Sequence, residues 1–200
     1  MSDNVFKLIY FVGLIAAGAV RFHYTRLIRK IRVVERRGLW AERPLMLLAW
    51  LAMQGAPLVY IFSPWLDFAD YRLPAWASWI GAGLFAAMVL LLWKSHADLG
   101  LNWSPLMAIR EEHRLVTRGV YRYIRHPMYA AHFLWAVAQP LLLHNWIAGP
   151  PFLPIFALIY FLRVPREEQM MLDHFGEAYR SYMMRTGRMI PRLRGQTPIS

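Results

Sequence analysis

Apolar runs of membrane-spanning length are the feature that most constrains this chain. Three runs cover residues 5–20, 44–62 and 74–93, and a fourth, residues 127–162, is too long for one span. A helix needs about 20 mostly apolar residues to cross a bilayer. The turn-forming stretch HNWIAGPP divides the fourth run, which predicts a helical hairpin. We therefore expect an all-α integral membrane protein with about five transmembrane helices.

The basic residues lie between these runs. Of the 23 Lys and Arg residues, 21 fall in three blocks, at residues 21–43, 94–125 and 163–194, and the other two are Lys7 and Arg72. Cytoplasmic loops are enriched in Lys and Arg. Five spans with the N-terminus outside would place all three blocks, and with them the C-terminus, in the cytoplasm.

A four-span arrangement, in which residues 127–162 are re-entrant, satisfies the charges equally well. The length of that segment favours a hairpin that crosses. We expect a prokaryotic inner (plasma) membrane protein and, because MSDNVFK has no basic leader, no cleaved signal peptide. The formal charge of +11 then indicates contact with membrane lipids, and we expect no nucleic-acid partner.

Several residues predict local structure within this plan. Pro57 lies inside the second run and predicts a kink, because proline removes a backbone donor. Gly81 and Gly83 in the third run would allow close helix contact. Residues 165–184 are charged and amphipathic, which predicts a separate surface helix with an interruption at Gly176.

We interpret residues 1–200 as a single domain. Its first part, residues 1–93, supplies three spans, and residues 94–200 supply the cytoplasmic region with the hairpin and the C-terminal amphipathic helix.

Several familiar chemistries lack their motifs. The absence of cysteine excludes disulfides, thiolate metal sites and cysteine nucleophiles. Neither a glycine-rich phosphate loop nor a G-x-S-x-G serine motif is present. His126 and His132 are six residues apart, which does not match one helical face, so we expect no metal site and interpret His132 as a packed or helix-bonded histidine.

Two polar stretches remain, EEHRLVTRGVYRYIRH at residues 111–126 and the segment that begins at Arg163. Ionisable residues at a membrane boundary are a functional-site hypothesis. Aromatic rings and carboxylates suit a cationic ligand, and arginine binds carboxylates with two parallel hydrogen bonds. The two stretches therefore indicate a site that holds a charged small molecule beside the lipid.

HRLVTRGVYRYIRHPMY at residues 113–129 and EEQMMLDHFGEAYRSYMMRTGRMIP at residues 167–191 resemble the isoprenylcysteine carboxyl methyltransferase family, which is similar to membrane phospholipid methyltransferases. The resemblance covers roughly residues 94–193. It implies S-adenosylmethionine as methyl donor, S-adenosylhomocysteine as product, and a lipophilic small-molecule or lipid-modified acceptor that enters from the bilayer. It favours carboxyl O-methylation, with phospholipid N-methylation or small-thiol S-methylation as the alternative.

The resemblance also implies roles for individual residues. The residues expected to bind the cofactor are His113, Leu115, Val116, Gly119, Tyr121, His126, Pro127, Tyr129 and Glu168. Those expected to act in catalysis are Glu167, Glu168, Arg163 and Arg185. The carboxylate acceptor is already ionised, so positioning and exclusion of water should suffice without a strong base.

Each assignment has a simpler alternative. His126 would cap the fourth span, with Pro127 in its first turn. Glu167 and Glu168 would be solvated residues favoured by a helix dipole, and Arg185 and Arg188 would contact lipid headgroups. Two other functions stay open, a non-enzymatic membrane scaffold and a nicotinamide-dependent membrane reductase.

Overall fold

The computed structural model describes residues 2–29, 33–36, 42–103, 108–110 and 114–192. Most of these residues are helical. In chain order the elements are α1 (Ser2–Ile28), β1 (Val33–Arg36), α2 (Glu42–Trp50), α3 (Ala56–Phe62), α4 (Ala75–Leu99), β2 (Ala108–Arg110), α5 (Pro127–Leu142), α6 (Phe152–Phe175) and α7 (Glu177–Arg185).

Within the described residues, three helical stretches are long and apolar enough to cross a membrane. They are Asn4–Ile28, Glu42–Phe62 and Ala75–Asn102, and they correspond to the three N-terminal spans expected from the sequence. Large apolar side chains such as Leu8 and Trp79 are exposed on their outer faces. Exposed apolar surface of this kind suits lipid, so the prediction of a helical integral membrane protein is confirmed at this level.

The all-α prediction needs one correction. Strands β1 and β2 form an antiparallel pair in which Val33 lies opposite Arg110 and Arg36 opposite Ala108. Both segments contain β-branched residues, which favour an extended backbone. Strand β1 belongs to the first basic block and β2 to the second, so the two blocks contact each other. The charge distribution alone predicts only that both blocks are cytoplasmic loops.

The kink expected at Pro57 takes the form of a π-helical turn, Leu51–Gly55, between α2 and α3. Pro57 has no N–H for the carbonyls of Ala52 and Met53, which precede it by one turn. Gln139 Nε2 donates to the Ala52 carbonyl at 2.8 Å, and the Tyr10 hydroxyl donates to the Met53 carbonyl at 2.6 Å. Side chains from α1 and α5 thus replace the backbone donor that proline lacks.

The predicted hairpin is present as α5 and α6, but the separate helix at residues 165–184 is wrong. Helix α6 continues through Pro165 to Phe175. Val164 and Glu168, four residues apart on one face, are both buried, so tertiary packing keeps the helix continuous past the proline. The interruption is at Gly176, as predicted, where φ is +53°.

The connection between α3 and α4 pairs with the turn between α5 and α6. The Tyr71 N–H donates to the His144 carbonyl at 2.9 Å, and Asn145 Nδ2 donates to Asp70 Oδ1 at 2.8 Å. The hairpin turn therefore lies at the same end of the bundle as the start of α4. At the other end of the bundle, residues 100–103 follow α4 and residues 114–126 precede α5.

Helices α1, α4 and α5 meet in an aromatic core. Tyr10 stacks on Phe85 with ring centroids 5.0 Å apart, and Trp135 Nε1 donates to the Tyr10 hydroxyl at 3.0 Å. Gly81 allows the close contact predicted for it, because a Cβ there would lie 2.7 Å from Leu141 Cβ. Gly83 has no such neighbour within 4 Å, so the prediction is wrong for that residue.

Candidate functional site

The segment before α5 is held by an aspartate of α4. Residues Gly119–Arg122 form a short 3₁₀ helix, and Asp98 Oδ2 accepts the Val120 N–H at 2.8 Å. Gly119 has φ +59°, and a Cβ there would overlap Asp98 Oδ2. Glycine is needed at this position for two independent reasons, the left-handed backbone and the close approach of the carboxylate.

The C-terminal segment after α7 pairs with the residues before α5. The Arg125 N–H donates to the Gly187 carbonyl at 2.9 Å, and the His126 N–H donates to the Arg188 carbonyl at 2.8 Å. The Tyr182 hydroxyl donates to the Tyr121 carbonyl at 2.7 Å. These hydrogen bonds hold residues 121–126, which precede α5, against α7 and the segment that follows it.

Glu168 is the centre of a group that we call the Glu168 cluster, formed with Arg125, His126 and Arg188. Arg125 Nε donates to Oε1 at 2.6 Å, and Arg188 Nη2 donates to Oε2 at 2.7 Å. His126 Nε2 lies 3.2 Å from Oε1. Burial of Glu168 raises its pKa, but hydrogen bonds from His126, Arg188 and Arg125 outweigh burial and lower the pKa to about 2. The ionised carboxylate thus ties α6 to the residues before α5, through Arg125, and to the segment after α7, through Arg188.

The backbone and the side chain of His126 have different surroundings. Its backbone occupies the position before the helix, and Pro127 is the first residue of α5. Its side chain makes no capping bond to that helix, because the ring is turned toward Glu168. The capping alternative therefore describes the backbone of His126 but not its imidazole.

A cavity of about 470 Å³ lies between these elements and α1, α2 and α6. Its polar wall includes Glu167, whose Oε2 accepts the Tyr129 hydroxyl at 3.0 Å. Its apolar wall includes Leu14, Ala17 and Met46. One cavity therefore contacts both the polar segment before α5 and the apolar faces of two membrane helices.

The structure brings most of the sequence-predicted site residues to this cavity. Those that line it are Leu115, Val116, Tyr121, His126, Pro127, Tyr129, Arg163 and Glu167. Gly119 and Glu168 do not line the cavity but hold residues that do. Gly119 begins the 3₁₀ helix that contains Tyr121, and Glu168 bonds to Arg125 and His126. Arg185 is exposed and donates to the Ser181 carbonyl of its own helix at 3.2 Å, so the fold does not bring it to the cavity. His113 lies outside the described residues.

Other residues of the site carry no such prediction. Arg21 of α1 and Trp103 line the cavity, and Asp98 positions the 3₁₀ helix. Arg21 belongs to the first basic block, where an arginine that fixes topology has the same sequence signal as one that faces a cavity. Asp98 follows an apolar run, where a charged residue is common. Nothing in the sequence therefore indicates that its partner is the Val120 N–H, 22 residues later.

The residues of the cavity fit S-adenosylmethionine. Its volume is within the range of about 300–1,000 Å³ typical of small-molecule sites. The Glu167 carboxylate is a partner for an ammonium or sulfonium, and the rings of Tyr121 and Tyr129 suit a cation or a stacked base. The chemistry of these groups matches a ligand that is cationic at one end and aromatic at the other.

Known proteins of one family are similar to this chain in sequence. The family model for the isoprenylcysteine carboxyl methyltransferase (ICMT) family matches residues 79–173. Protein-S-isoprenylcysteine O-methyltransferase B of Arabidopsis thaliana is 30% identical over 143 residues, which cover 70% of this chain and 72% of the relative. The Schizosaccharomyces pombe protein-S-isoprenylcysteine O-methyltransferase is 32% identical over 94 residues, 46% of this chain and 40% of the relative.

A solved structure has a similar fold. It is the eukaryotic intramembrane Ras methyltransferase ICMT, 26% identical, with a TM-score of 0.54 over 78% of this chain and 54% of that one. The chain thus spans about half the length of that protein and less than half of the S. pombe relative. The family model, the Arabidopsis relative and this fold agree with the resemblance seen in the motifs, and this chain belongs to the isoprenylcysteine carboxyl methyltransferase family.

Proposed function

We propose that this chain is a membrane methyltransferase that uses S-adenosylmethionine to methylate the carboxylate of a lipophilic acceptor, an S-isoprenylated cysteine on a protein or a smaller molecule. The observation that carries the proposal is that one cavity has a polar wall, which includes Glu167, and an apolar wall, which includes Leu14 and Met46. A polar donor and a lipophilic acceptor can meet only where a polar site opens on apolar helix faces. The names of the relatives support the choice of acceptor.

The polar wall would hold the donor. Glu167, hydrogen-bonded to Tyr129, presents a carboxylate to the donor's cationic groups. Leu115 and Val116 line the same cavity and suit the contacts of an adenosine. His126 lines the wall with its ring held by Glu168. These residues bind and orient the donor, and they hold its position relative to the apolar wall.

The bound donor would supply an electrophilic methyl group whose carbon bonds to an acceptor oxygen as its bond to sulfur breaks, with the electron pair remaining on sulfur. No proton has to move when the acceptor is a carboxylate. The protein's part is to align the two groups and exclude water. Trp103, Trp135 and Phe156 line the cavity, and their rings provide that exclusion.

We also propose an orientation in the membrane. The N-terminus lies outside, and the cavity and α7 face the cytoplasm of a prokaryotic cell, because arginines from all three basic blocks, among them Arg21, Arg114 and Arg163, line the cavity. The pairing between the α3–α4 connection and the α5–α6 turn supports a hairpin that crosses the bilayer. Residues 1–93 and 94–200 then act as one domain, since α1, α2, α5 and α6 all line the cavity.

Titration calorimetry with S-adenosylhomocysteine on detergent-purified protein tests donor binding. We expect wild-type binding, and an affinity about tenfold lower in Tyr129→Phe, which loses a hydrogen bond to a charged group. Gln169→Ala is the control, since Gln169 is exposed on α6 and bonds to Asp173. Absence of wild-type binding in a folded sample would overturn the proposal.

Transfer of a labelled methyl group tests the acceptor. We expect incorporation into S-farnesylcysteine with a free carboxylate, released by mild base as expected for an ester. Incorporation into phosphatidylethanolamine or a small thiol instead would replace the carboxylate by an amine or sulfur acceptor.

A further inference from the structure

Two arginines from opposite ends of the sequence line the same cavity. Arg21 lies near the end of α1, and Arg163 lies in the middle of α6. Arg21 is outside the residues matched by the family model, which begin at residue 79. Its position is therefore a property of this chain that the motif comparison does not address.

Arg21 contacts a neutral histidine rather than a carboxylate. Its Nη1 lies 3.4 Å from His132 Nε2, and His132 Nδ1 lies 2.7 Å from the Met128 carbonyl. The carbonyl can only accept, so Nδ1 carries the proton and Nε2 accepts from Arg21. Among the described residues Arg21 forms no salt bridge, and most of its five donors have no protein acceptor there.

Arg163 is also incompletely paired. Its Nε is buried and has no hydrogen-bond partner among the described residues. The nearest carboxylate oxygen is Glu42 Oε2 at 3.9 Å, which is beyond hydrogen-bond distance. Glu42 instead accepts from Arg166 at 2.8 Å. Arg163 and Arg166 thus share the charge of Glu42, and Arg163, which also lines the cavity, is only partly neutralised.

The two guanidinium groups beside this largely apolar cavity repel each other, because like charges interact more strongly where the effective dielectric constant is low. The Glu167 carboxylate lines the same cavity, but it accepts from Tyr129 and forms no ion pair with Arg21 or Arg163 among the described residues. A carboxylate relieves this repulsion and matches the geometry of the arginine side chain. We propose that Arg21 and Arg163 form a binding site for a carboxylate, which we call the arginine pair.

The surroundings of Arg21 identify the acceptor as the source of this carboxylate. Leu14, Ala17 and Gly18 line the same cavity and share a face of α1 with Arg21, since they precede it by seven, four and three residues. An acceptor whose carboxylate meets Arg21 would thus have its apolar chain beside small and aliphatic residues. This inference rests on the proposed function and adds a substrate-positioning residue to it.

Equilibrium binding in lipid nanodiscs, without the methyl donor, tests the arginine pair. The probes are radiolabelled S-farnesylcysteine with a free carboxylate and its methyl ester. Wild type should prefer the carboxylate, and Arg21→Ala should lower that affinity at least tenfold while affinity for the ester stays unchanged. Arg21→Lys keeps the charge but not the planar group and should lose about threefold, which covers the case in which the alanine variant does not fold.

Arg26→Ala is the matched control, because Arg26 is an exposed arginine on the same helix that does not line the cavity. Titration with S-adenosylhomocysteine separates the two sources of a carboxylate. Unchanged affinity in Arg21→Ala assigns the carboxylate to the acceptor, whereas a loss confined to S-adenosylhomocysteine assigns it to the donor and overturns the acceptor role. If folded Arg21 variants bind every probe as wild type does, the arginine pair is wrong while the proposed function stands. If wild type binds no probe, both are overturned.

Discussion

Glu168 joins three side chains that are far apart in sequence, so its removal should affect the fold more than the chemistry. Glu168→Gln leaves Arg125 and Arg188 without a counter-charge. Breaking a buried ion pair costs about 3–5 kcal/mol, and the lower end applies here because the Arg188 side chain is 47% exposed. We expect a lower thermal midpoint in detergent by circular dichroism. Glu177→Gln is the control, since its pair with Arg180 is exposed.

The same carboxylate predicts a dependence on pH. The pKa of Glu168 is about 2 in the folded chain against an ordinary value of 4.5. The folded state therefore favours the ionised form, and the stabilisation is complete above about pH 4.5 and lost as the pH falls toward 2. The difference in stability between wild type and Glu168→Gln should shrink over that interval. A difference that stays constant from pH 7 to pH 2.5 would contradict the ionised cluster.

Gly119 allows a comparison between two glycines with the same backbone. Gly119 has φ +59° and Gly100 has φ +55°, but only at Gly119 would a Cβ meet another group, Asp98. Alanine at either position costs roughly 1–3 kcal/mol for the backbone alone. We expect Gly119→Ala to be less stable than Gly100→Ala and to bind S-adenosylhomocysteine more weakly, because Tyr121 shifts. Equal effects of both variants would mean that the contact with Asp98 is unimportant.

The sequence predicts the composition of the site better than the direction of its side chains. The motif gives no reason to assign the cavity to Glu167 rather than Glu168. Successive residues on a helix point about 100° apart, so only one of the two can face the cavity. In the structure Glu167 lines the cavity and Glu168 binds Arg125 and Arg188. The role of Arg21 was hidden for another reason, since its partner His132 follows more than a hundred residues later.

At the scale of the element, the broken second span shows how a proline is accommodated in lipid. The carbonyls left without a backbone donor accept from Tyr10 and Gln139. Inside the hydrocarbon region of a bilayer no water is present to donate a hydrogen bond to an unsatisfied carbonyl. The sequence locates this kink through Pro57. It does not locate the side-chain donors, which belong to helices far away in the chain.

Tyr10→Phe tests this account. The variant keeps the ring stacked on Phe85 but removes the donor to Met53 and the acceptor for Trp135. We expect a loss of about 1–3 kcal/mol in unfolding free energy, measured by thermal or denaturant unfolding in detergent. Tyr24→Phe is the control on the same helix, because the Tyr24 hydroxyl makes no hydrogen bond to the described residues. An unchanged midpoint in Tyr10→Phe would show that the π-helical turn needs no outside donor.

At the scale of the whole molecule, the proposed orientation is open to a direct test because the chain contains no cysteine. Ser63→Cys lies after α3, and Thr117→Cys lies in the exposed loop before the 3₁₀ helix. A membrane-impermeant maleimide should label the first in intact spheroplasts and the second only after permeabilisation. The reverse pattern would invert the topology, and equal labelling of both would contradict a spanning α4.

The pairing of residues 187 and 188 with residues 125 and 126 has a consequence for biosynthesis. The chain is made from its N-terminus, so every helix that lines the cavity is synthesised before the segment that fixes its polar wall. A nascent chain can insert its spans while this wall is still open. Capacity to bind a ligand should therefore arise only after residues 187 and 188 have emerged from the ribosome and paired with a bundle already in the bilayer.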